Sequence, residues 1–507
     1  MSDELRRWAQ TFPEKAAWRL ADGSEELSFG ELDLWSSQTM QWLAACGVIT
    51  GDVIAMCLPN CAELFAIAWA ARRLGAYFTP ISIHLKPDEA AYILADSGAR
   101  VYFATTETAY PFNGRTVLVT PGLSGSPYER ARQQFGADVD LPERPLGKDF
   151  VYSSGTTGQP KGVKRPLFAD PERERRQAYW IQAFSNHDET SVCLTPAPLY
   201  HAAPLRFAMR AIQYGGTVIG MRKFHAETAL DAIQTWKVTH SLWVPTMFYR
   251  MLRLPETRRA AYDLSSMRCA IHSGGPCAAD LKQQMIAWWG PIIWEYYAAS
   301  EGNGATCISS TESLRRPGAV GRAALGKIHI VGPDGSEVAA GQTGEVYFEY
   351  GPTFEYHNDP IKTAASRNDR GWTTVGDIGH LDSEGYLFLS DRKAHTIVSG
   401  GVNIYPLEIE QLLCRHPAVA DAAVFGVPNQ EYGEEVVAVI ELMPEVRPAA
   451  DLRTQLDAYC REHLSAVKRP KQIVFESCLP RGDNGKLSKV ALRQRFLINP
   501  PSLGVSR

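Results

Sequence analysis

The sequence lacks any apolar run long enough to cross a bilayer. Its longest, Leu64 to Ala71, falls far short of the roughly 20 residues that a spanning helix needs. No leader-like stretch opens the chain either: MSDELRRWAQTFPEKAAWRL is broken by charges throughout, so neither signal peptide nor membrane anchor is expected, and a cytoplasmic location is. An excess of one charge is also missing. Lys and Arg number 52 against 56 Asp and Glu, a net charge of −4, which gives no overall field for nucleic acid or an anionic membrane surface. The ten cysteines, at 46, 57, 61, 193, 269, 277, 307, 414, 460 and 478, show no zinc spacing and no disulfide framework, and mostly sit in apolar surroundings. Reduced, buried thiols are expected. Internal repeats and low-complexity tracts are absent as well.

What is present is 507 residues with 45% apolar content, enough for two to four domains with sizeable cores. Helical and β-rich stretches alternate through the first 390 residues. Ser28 to Gly47, Ala62 to Leu74, Glu89 to Asp96 and Thr228 to Lys237 read as helices; Asp52 to Leu58 and Arg100 to Thr105 read as strands. Such alternation implies βαβ units and mainly parallel sheets. From Gly321 the pattern changes to short strands with turn signals, Lys327 to Val331, then PDG, then Gly344 to Glu349, which points to a β-rich subdomain. A strand from Tyr386 to Leu389 precedes the boundary, set near Asp391. Beyond it lies a compact α+β unit, with helices at 406–415 and 451–464 and strands near 419–425, 435–442 and 472–475. The fold class expected is therefore α/β: a large N-terminal domain (1–390) and a small α+β C-terminal domain (391–507). The charged PERERRQ at 171–177 reads as a solvated loop or helix start.

One segment stands out chemically. Residues 152–162 read YSSGTTGQPKG: hydroxyls, glycine backbone N–H groups without Cβ obstruction, and one cation, the groups that a polyphosphate requires. It is not a Walker A loop, because the second glycine position counted from Gly155 holds Pro160 and Lys161 is followed by Gly162. No G-x-G-x-x-G follows a strand.

This loop resembles the phosphate-binding signature of the adenylate-forming enzymes, the superfamily of acyl-CoA synthetases, nonribosomal adenylation domains and beetle luciferases. Ser153 to Gly162 match [ST]-[ST]-G-T-[ST]-G-x-P-K-G without a substitution. Five further segments follow in the family's order: HSGGPC at 272–277, EYYAASE at 295–301, WTTVGDIG at 372–379, DRKAHTIVSGGVNIYPLEIE at 391–410 and LPRGDNGKLSK at 479–489. The opening third fits more weakly through Ser28 to Leu32, Leu58 to Asn60 and Gly75-Ala76.

The resemblance implies the chemistry. Ser153, Ser154, Gly155, Thr156, Thr157, Gly158 and Lys161 would hold the ATP phosphates. Gly274, Gly275 and Pro276, with Glu295, Tyr296, Tyr297 and Ala298, would pass along adenine and the acyl-pocket floor. Ser300 would meet the α-phosphate and Glu301 would hold Mg2+. Asp377 would accept the ribose hydroxyls, with Arg392 beside it; Val375 replaces the usual threonine. Lys486 would bridge the substrate carboxylate and the α-phosphate. Ser399, Gly400 and Gly401 would line a pantetheine tunnel for coenzyme A, with Lys468, Arg469 and Lys471 as candidate cations at its mouth. The small C-terminal domain would be mobile, turning on a hinge near residues 391–394, where the chain departs from the family's usual polar pair by having Ala394 and His395. His201, in the P-L-[FY]-H segment, would border the carboxylate.

A carboxylate is a poor electrophile; attack on the α-phosphate of ATP turns it into an acyl-adenylate that a thiol can open, and positioning with charge neutralisation carries that step. The expected activity is thus ATP-dependent ligation of a carboxylic acid to CoA. Aromatic and aliphatic residues such as Phe207, Met209, Met247 and Phe248 dominate the candidate pocket, which favours an apolar monocarboxylate: a fatty, aryl or steroid side-chain acid. The alternatives are a stand-alone adenylation enzyme charging a carrier protein, and a catalytically inactive nucleotide-binding scaffold. Partners are confined to small molecules, with a homodimer left open.

Overall fold

The first long helix is written into its start. Ser28 accepts from the Glu31 N–H at 3.2 Å while the Glu31 carboxylate accepts from the Ser28 N–H at 2.9 Å, a reciprocal cap that opens the helix Phe29–Ala45. The helix Ala62–Leu74 ends where expected, with Gly75 in the left-handed region at φ 73°. These elements belong to a computed structural model that describes residues 3–136, 144–153, 160–170, 179–481 and 487–498.

The described chain forms two compact units: residues 1–317, 321–327 and 349–373, and residues 318–320, 328–348 and 374–507. The second unit therefore begins before the boundary at Asp391 expected from sequence, because strands Thr373–Leu381 and Leu387–Arg392 pair as a hairpin and carry the preceding β-rich segment with them.

In the first unit the main sheet runs Ala305–Ser309, Ile293–Ala298, Cys269–His272, His240–Trp243, Val192–Thr195, Thr217–Gly220, Ala16–Leu20, Glu26–Ser28. All but the two outermost of these strands are parallel, as the βαβ pattern requires. A second, wholly parallel sheet orders Tyr77–Pro80, Val53–Cys57, Val101–Ala104 and Arg115–Leu118. Helices Phe29–Ala45 and Ala62–Leu74 cover apolar faces built around Trp18, Phe65 and Leu43, all buried. A third sheet is small: Glu355–Tyr356, Lys161–Lys164 and Val151–Ser153.

The second unit has one sheet ordered Lys327–Val331, Gly344–Glu349, Thr373–Leu381, Leu387–Arg392, and another ordered Val402–Ile404, Ile397–Ser399, Gly433–Leu442, Val419–Asn429, with Gln472–Glu476 pairing Gly433–Leu442 in parallel. Helices Pro406–Leu413 and Ala450–His463 pack on one face through Ile409, Leu413 and Leu456, against Val424 and Ile440. The helix Lys489–Ile498, which the sequence reading did not anticipate, packs Leu492 with Phe425 and Val427.

All ten thiols are free; Cys57, Cys61, Cys193, Cys269, Cys277 and Cys460 are buried and only Cys414 and Cys478 are exposed. No helix among the described residues is long and apolar enough to cross a membrane. The PERERRQ segment lies outside the described residues.

Candidate active site

The phosphate-type loop leaves and re-enters an antiparallel hairpin. Ser153 pairs with Lys161, Tyr152 with Gly162 and Val151 with Val163, so the two ends of the signature are locked opposite each other. Ser154, Gly155, Thr156, Thr157 and Gly158 lie outside the described residues. Gly162 is obligatory for packing: a Cβ there would sit 2.8 Å from the Phe150 ring and 3.0 Å from that of Tyr152. The strand Glu355–Tyr356 joins the other edge, with Tyr356 opposite Val163 and the His357 N–H donating to the Gly162 carbonyl at 2.8 Å.

That third strand brings in a residue the sequence reading missed. The Tyr356 hydroxyl donates to the buried Glu301 carboxylate at 2.8 Å, fixing the proposed metal ligand. Lys362 lies over the Tyr356 ring, its Nζ 4.0 Å from the centroid. Burial and the neighbouring Lys161 push Lys362 down to about 8, with Glu301 and Asp359 opposing. Lys161 and Glu301, 140 positions apart in sequence, thus share one neighbourhood.

Beneath Ser300 lies a second unforeseen cluster. Asp149, buried, accepts from Arg165 Nη2 at 2.5 Å and from Arg206 Nε and Nη2 at 3.0 and 2.7 Å. Arg206 then reaches the Ser300 carbonyl at 3.1 Å. Burial pushes the Asp149 carboxyl up, yet the two guanidinium charges outweigh it and hold the group far below the usual carboxylate range.

The strands Cys269–His272 and Ile293–Ala298 run side by side, placing His272 opposite Glu295. Gly274, in the loop after the first strand, has φ 85°, a left-handed conformation that a side chain would strain. Glu295 turns into the core: its carboxylate is buried and bonded to Lys282 of the helix Ala279–Trp289, with His272 Nε2 3.8 Å away. Burial and the Lys282 charge keep His272 neutral. The alternating strand sends the next residue the other way. Tyr296 meets Trp180 edge-on at 5.5 Å, and Phe184 stacks on Trp294 at 4.9 Å, an aromatic wall. Burial pushes the Tyr296 hydroxyl up, with Ser273, Arg206 and Arg210 opposing it only in part.

His201 caps the helix Ala202–Gln213 and touches the Tyr200 ring at 4.8 Å. Asn60 sets this segment: its amide donates to the Ala197 and Met221 carbonyls at 3.2 and 2.8 Å and its oxygen accepts from the Leu199 N–H at 2.8 Å.

In the second unit Asp377 is buried and Arg392 Nε lies 3.3 Å from it, the two being paired across the hairpin. Of the unusual hinge pair, His395 is held locally. His395 Nδ1 lies 3.2 Å from Asp391, whose other oxygen accepts from the Leu407 N–H at 3.0 Å with Lys489 3.6 Å away, and Lys393 bonds Glu345 at 2.9 Å. Ser399 and Val402 face each other across a tight turn made by Gly400 and Gly401, at φ 58° and 78°, the positive pair that a type I′ hairpin demands. Lys468 is engaged by Glu408 at 2.6 Å, and Arg469 donates to the Leu464 carbonyl at 3.0 Å. Lys486 lies outside the described residues; the loop that carries it is closed by a bridge between Arg481 and Leu487. Among the described residues no group of three His, Cys, Asp or Glu side chains forms a metal cage.

Against known proteins, the pattern of the AMP-binding enzyme family matches residues 5–354, and that of the AMP-binding enzyme C-terminal domain matches 408–486. The chain belongs to the AMP-binding enzyme family. The AMP-binding relatives include the long-chain-fatty-acid–CoA ligase FadD13 of Mycobacterium tuberculosis, 29% identical with 98% of each chain covered, and a feruloyl-CoA synthase of Amycolatopsis, 32% identical over 97% of this chain and 98% of the relative. Among solved structures, ATP-bound MatB from Rhodopseudomonas palustris superposes with a TM-score of 0.85 at 26% identity, covering 98% and 99% of the chains. The o-succinylbenzoate CoA synthetase of Bacillus subtilis in complex with its acyl-adenylate gives 0.81 at 27% identity, covering 98% of each. Within the family this chain is an AMP-forming acid–CoA ligase, an enzyme that uses ATP and CoA.

Proposed function

We propose that the acid is one with an apolar body, fatty, aryl or steroid in character, activated as an acyl-adenylate with loss of pyrophosphate and then transferred to CoA with loss of AMP. The observation that carries this reading is the aromatic wall of Trp180, Phe184, Trp294 and Tyr296, joined to the nucleotide segment by a single strand. Burying such an acid against these rings gains roughly 25 cal/mol per Å2 of apolar surface.

In this reading the loop from Ser153 to Lys161 grips the phosphates, Tyr297 faces adenine with Gly274, Gly275, Pro276 and Ala298 alongside, Asp377 takes the ribose hydroxyls beside Arg392, and Ser300 meets the α-phosphate. Lys486 orients the two reacting anions, and His201 borders the acid's carboxylate. Ser399, Gly400 and Gly401 then line the path of pantetheine, and Glu295 supports the adenine segment from within the core. Glu301 is a hard oxygen donor beside lysine ammonium groups, a setting that fits magnesium bound largely through substrate phosphates. Such an ion supplies charge neutralisation at the phosphates. The enzyme works in the cytoplasm, on free CoA in preference to a carrier protein.

A second reading of the acid rests on Arg210. It stands on the helix Ala202–Gln213 near Tyr296, largely buried, with its guanidinium pushed down by burial to about 10 and therefore still charged at neutral pH. Among the described residues it has no carboxylate partner within ion-pair distance, whereas Arg206 is held by Asp149. A distal carboxylate on the acid would complete it. The 2-succinylbenzoate–CoA ligase of Geobacillus kaustophilus, 30% identical over 97% of this chain, is named for an acid of that kind.

A panel of fatty, aryl, steroid side-chain and dicarboxylic acids, with ATP, magnesium and CoA, separates the two by mass spectrometry of CoA products. Apolar monoacids are expected to give thioester and AMP; pyrophosphate without thioester would sink the CoA-ligase reading. Arg210→Met is expected to leave kcat/KM for apolar monoacids within about twofold. A selective drop for diacids of roughly 10- to 100-fold, the worth of one charged hydrogen bond, would establish the second reading instead.

A further inference from the structure

Lys362 belongs to none of the sequence segments that announce nucleotide chemistry, yet the fold delivers it to them. Asp359 caps the helix Pro360–Ala365, its carboxylate accepting from the Lys362 N–H at 2.9 Å, and Asn358 precedes it in a left-handed conformation at φ 56°. This corner follows the strand that hydrogen-bonds to Lys161–Lys164, so Lys362 comes to stand one strand away from the signature lysine. Its ammonium sits 4.0 Å from the Tyr356 ring centroid, and the same tyrosine holds Glu301 at 2.8 Å. Lys161 lies close enough for its charge to act on Lys362.

Two ammonium groups brought together repel, and partial burial strengthens that repulsion. An arrangement of this kind is relieved by an anion carrying more than one charge. The tyrosine face steadies one ammonium, and the Glu301 carboxylate, already hydrogen-bonded to Tyr356, and Asp359 offset the repulsion only in part. Ser153 and Lys161, paired across the hairpin, mark the two ends of the signature that the adenylation reading assigns to the phosphates.

We propose that Lys362 and Lys161 together grip the β- and γ-phosphates of ATP and hold the departing pyrophosphate. The proposal rests on the adenylation reading above. In that step the acid's carboxylate oxygen forms a bond to the α-phosphorus while the bond from that phosphorus to the bridging oxygen of the β-phosphate breaks. The electron pair leaves on pyrophosphate, no proton moves, and the new negative charge appears on the β-phosphate, where two ammonium groups offset it.

The experiment is a binding titration on the full chain. ATP, inorganic pyrophosphate and AMP are titrated by calorimetry in EDTA, so that no metal joins the ligand to Glu301, against wild type, Lys362→Met and Lys362→Arg. Methionine keeps the stem over Tyr356 and removes the charge. The expected result is that Lys362→Met weakens ATP and pyrophosphate roughly 10- to 100-fold, leaves AMP unchanged, and leaves thioester formation from a supplied acyl-adenylate and CoA at the wild-type rate, while arginine restores most of the ATP affinity. Equal weakening of ATP and AMP, or no weakening of ATP, overturns the proposal. Wild-type protein that binds neither ATP nor AMP would instead overturn the adenylation reading. Should the methionine variant lose its cooperative melt, Lys362→Gln carries the same comparison.

Discussion

Lys486→Ala is expected to lose acyl-adenylate formation by roughly 10²- to 10³-fold, the usual cost of removing one group that stabilises developing charge, while still making thioester from a supplied acyl-adenylate. An ammonium on a long flexible stem contributes only where two anions meet, and that meeting occurs in the first half-reaction alone. Pyrophosphate release with ATP and acid reports the first half; CoA consumption with pre-formed adenylate reports the second. An equal loss in both would mean that Lys486 supports the fold or both states, and the division of labour between half-reactions would fail.

Asp149→Ala is expected to cost about 3 kcal/mol of stability, the low end of the range for breaking a buried ion pair, because Arg165 and Arg206 each keep about a quarter of their side chains exposed, at 23% and 25%. Two guanidinium groups would be left facing one another, and Arg206 would lose the carboxylate that aims it at the Ser300 carbonyl. The variant should therefore also adenylate poorly at temperatures where it is fully folded. All 12 tryptophans lie in the first unit, so their fluorescence in a urea titration reads that unit alone. The pH dependence has a definite sign. A carboxyl depressed in the folded state contributes its stability above its unfolded value near 4, and the contribution drains away as pH falls below that toward the lower folded value. Wild type and variant should thus converge in stability on acidification; a gap that persisted unchanged at pH 3 would rule out the ion-pair explanation.

What could be read from the chain beforehand was whatever is encoded locally. The helix Ala62–Leu74 matched at both ends because Gly75 supplies a left-handed stop and Arg72 and Arg73 crowd the last turn. The phosphate-type loop stood out as a motif, since its glycines and hydroxyls carry their reason in their own chemistry, whereas the hairpin that pairs its ends was not foreseen. Asp149 was not legible: its meaning depends on Arg165 and Arg206, and a lone aspartate after a lysine looks like any surface charge. Lys362 was hidden likewise, in a short capped helix whose sequence NDPIKT suggests only a solvated turn. Glu295 shows the opposite difficulty. Adjacency placed it with the nucleotide segment, but alternation along the strand directs its carboxylate to Lys282 in the core and its neighbour Tyr296 to the aromatic wall.

The cysteines that looked inert from composition have a practical consequence. Burial pushes Cys57 and Cys307 up to about 11 and Cys269 up to about 12, and the Cys414 sulfur, enclosed although its residue is exposed, also to about 12. Thiolate is the reactive form. Cys478, exposed and in the second unit, should therefore take up a maleimide first at neutral pH, and peptide mass mapping of the labelled protein would show it. With every tryptophan in the other unit, that one adduct puts energy donor and acceptor on separate units of the wild-type enzyme with no engineered residue, and a change in transfer between ATP-loaded and CoA-loaded protein would report any movement between them.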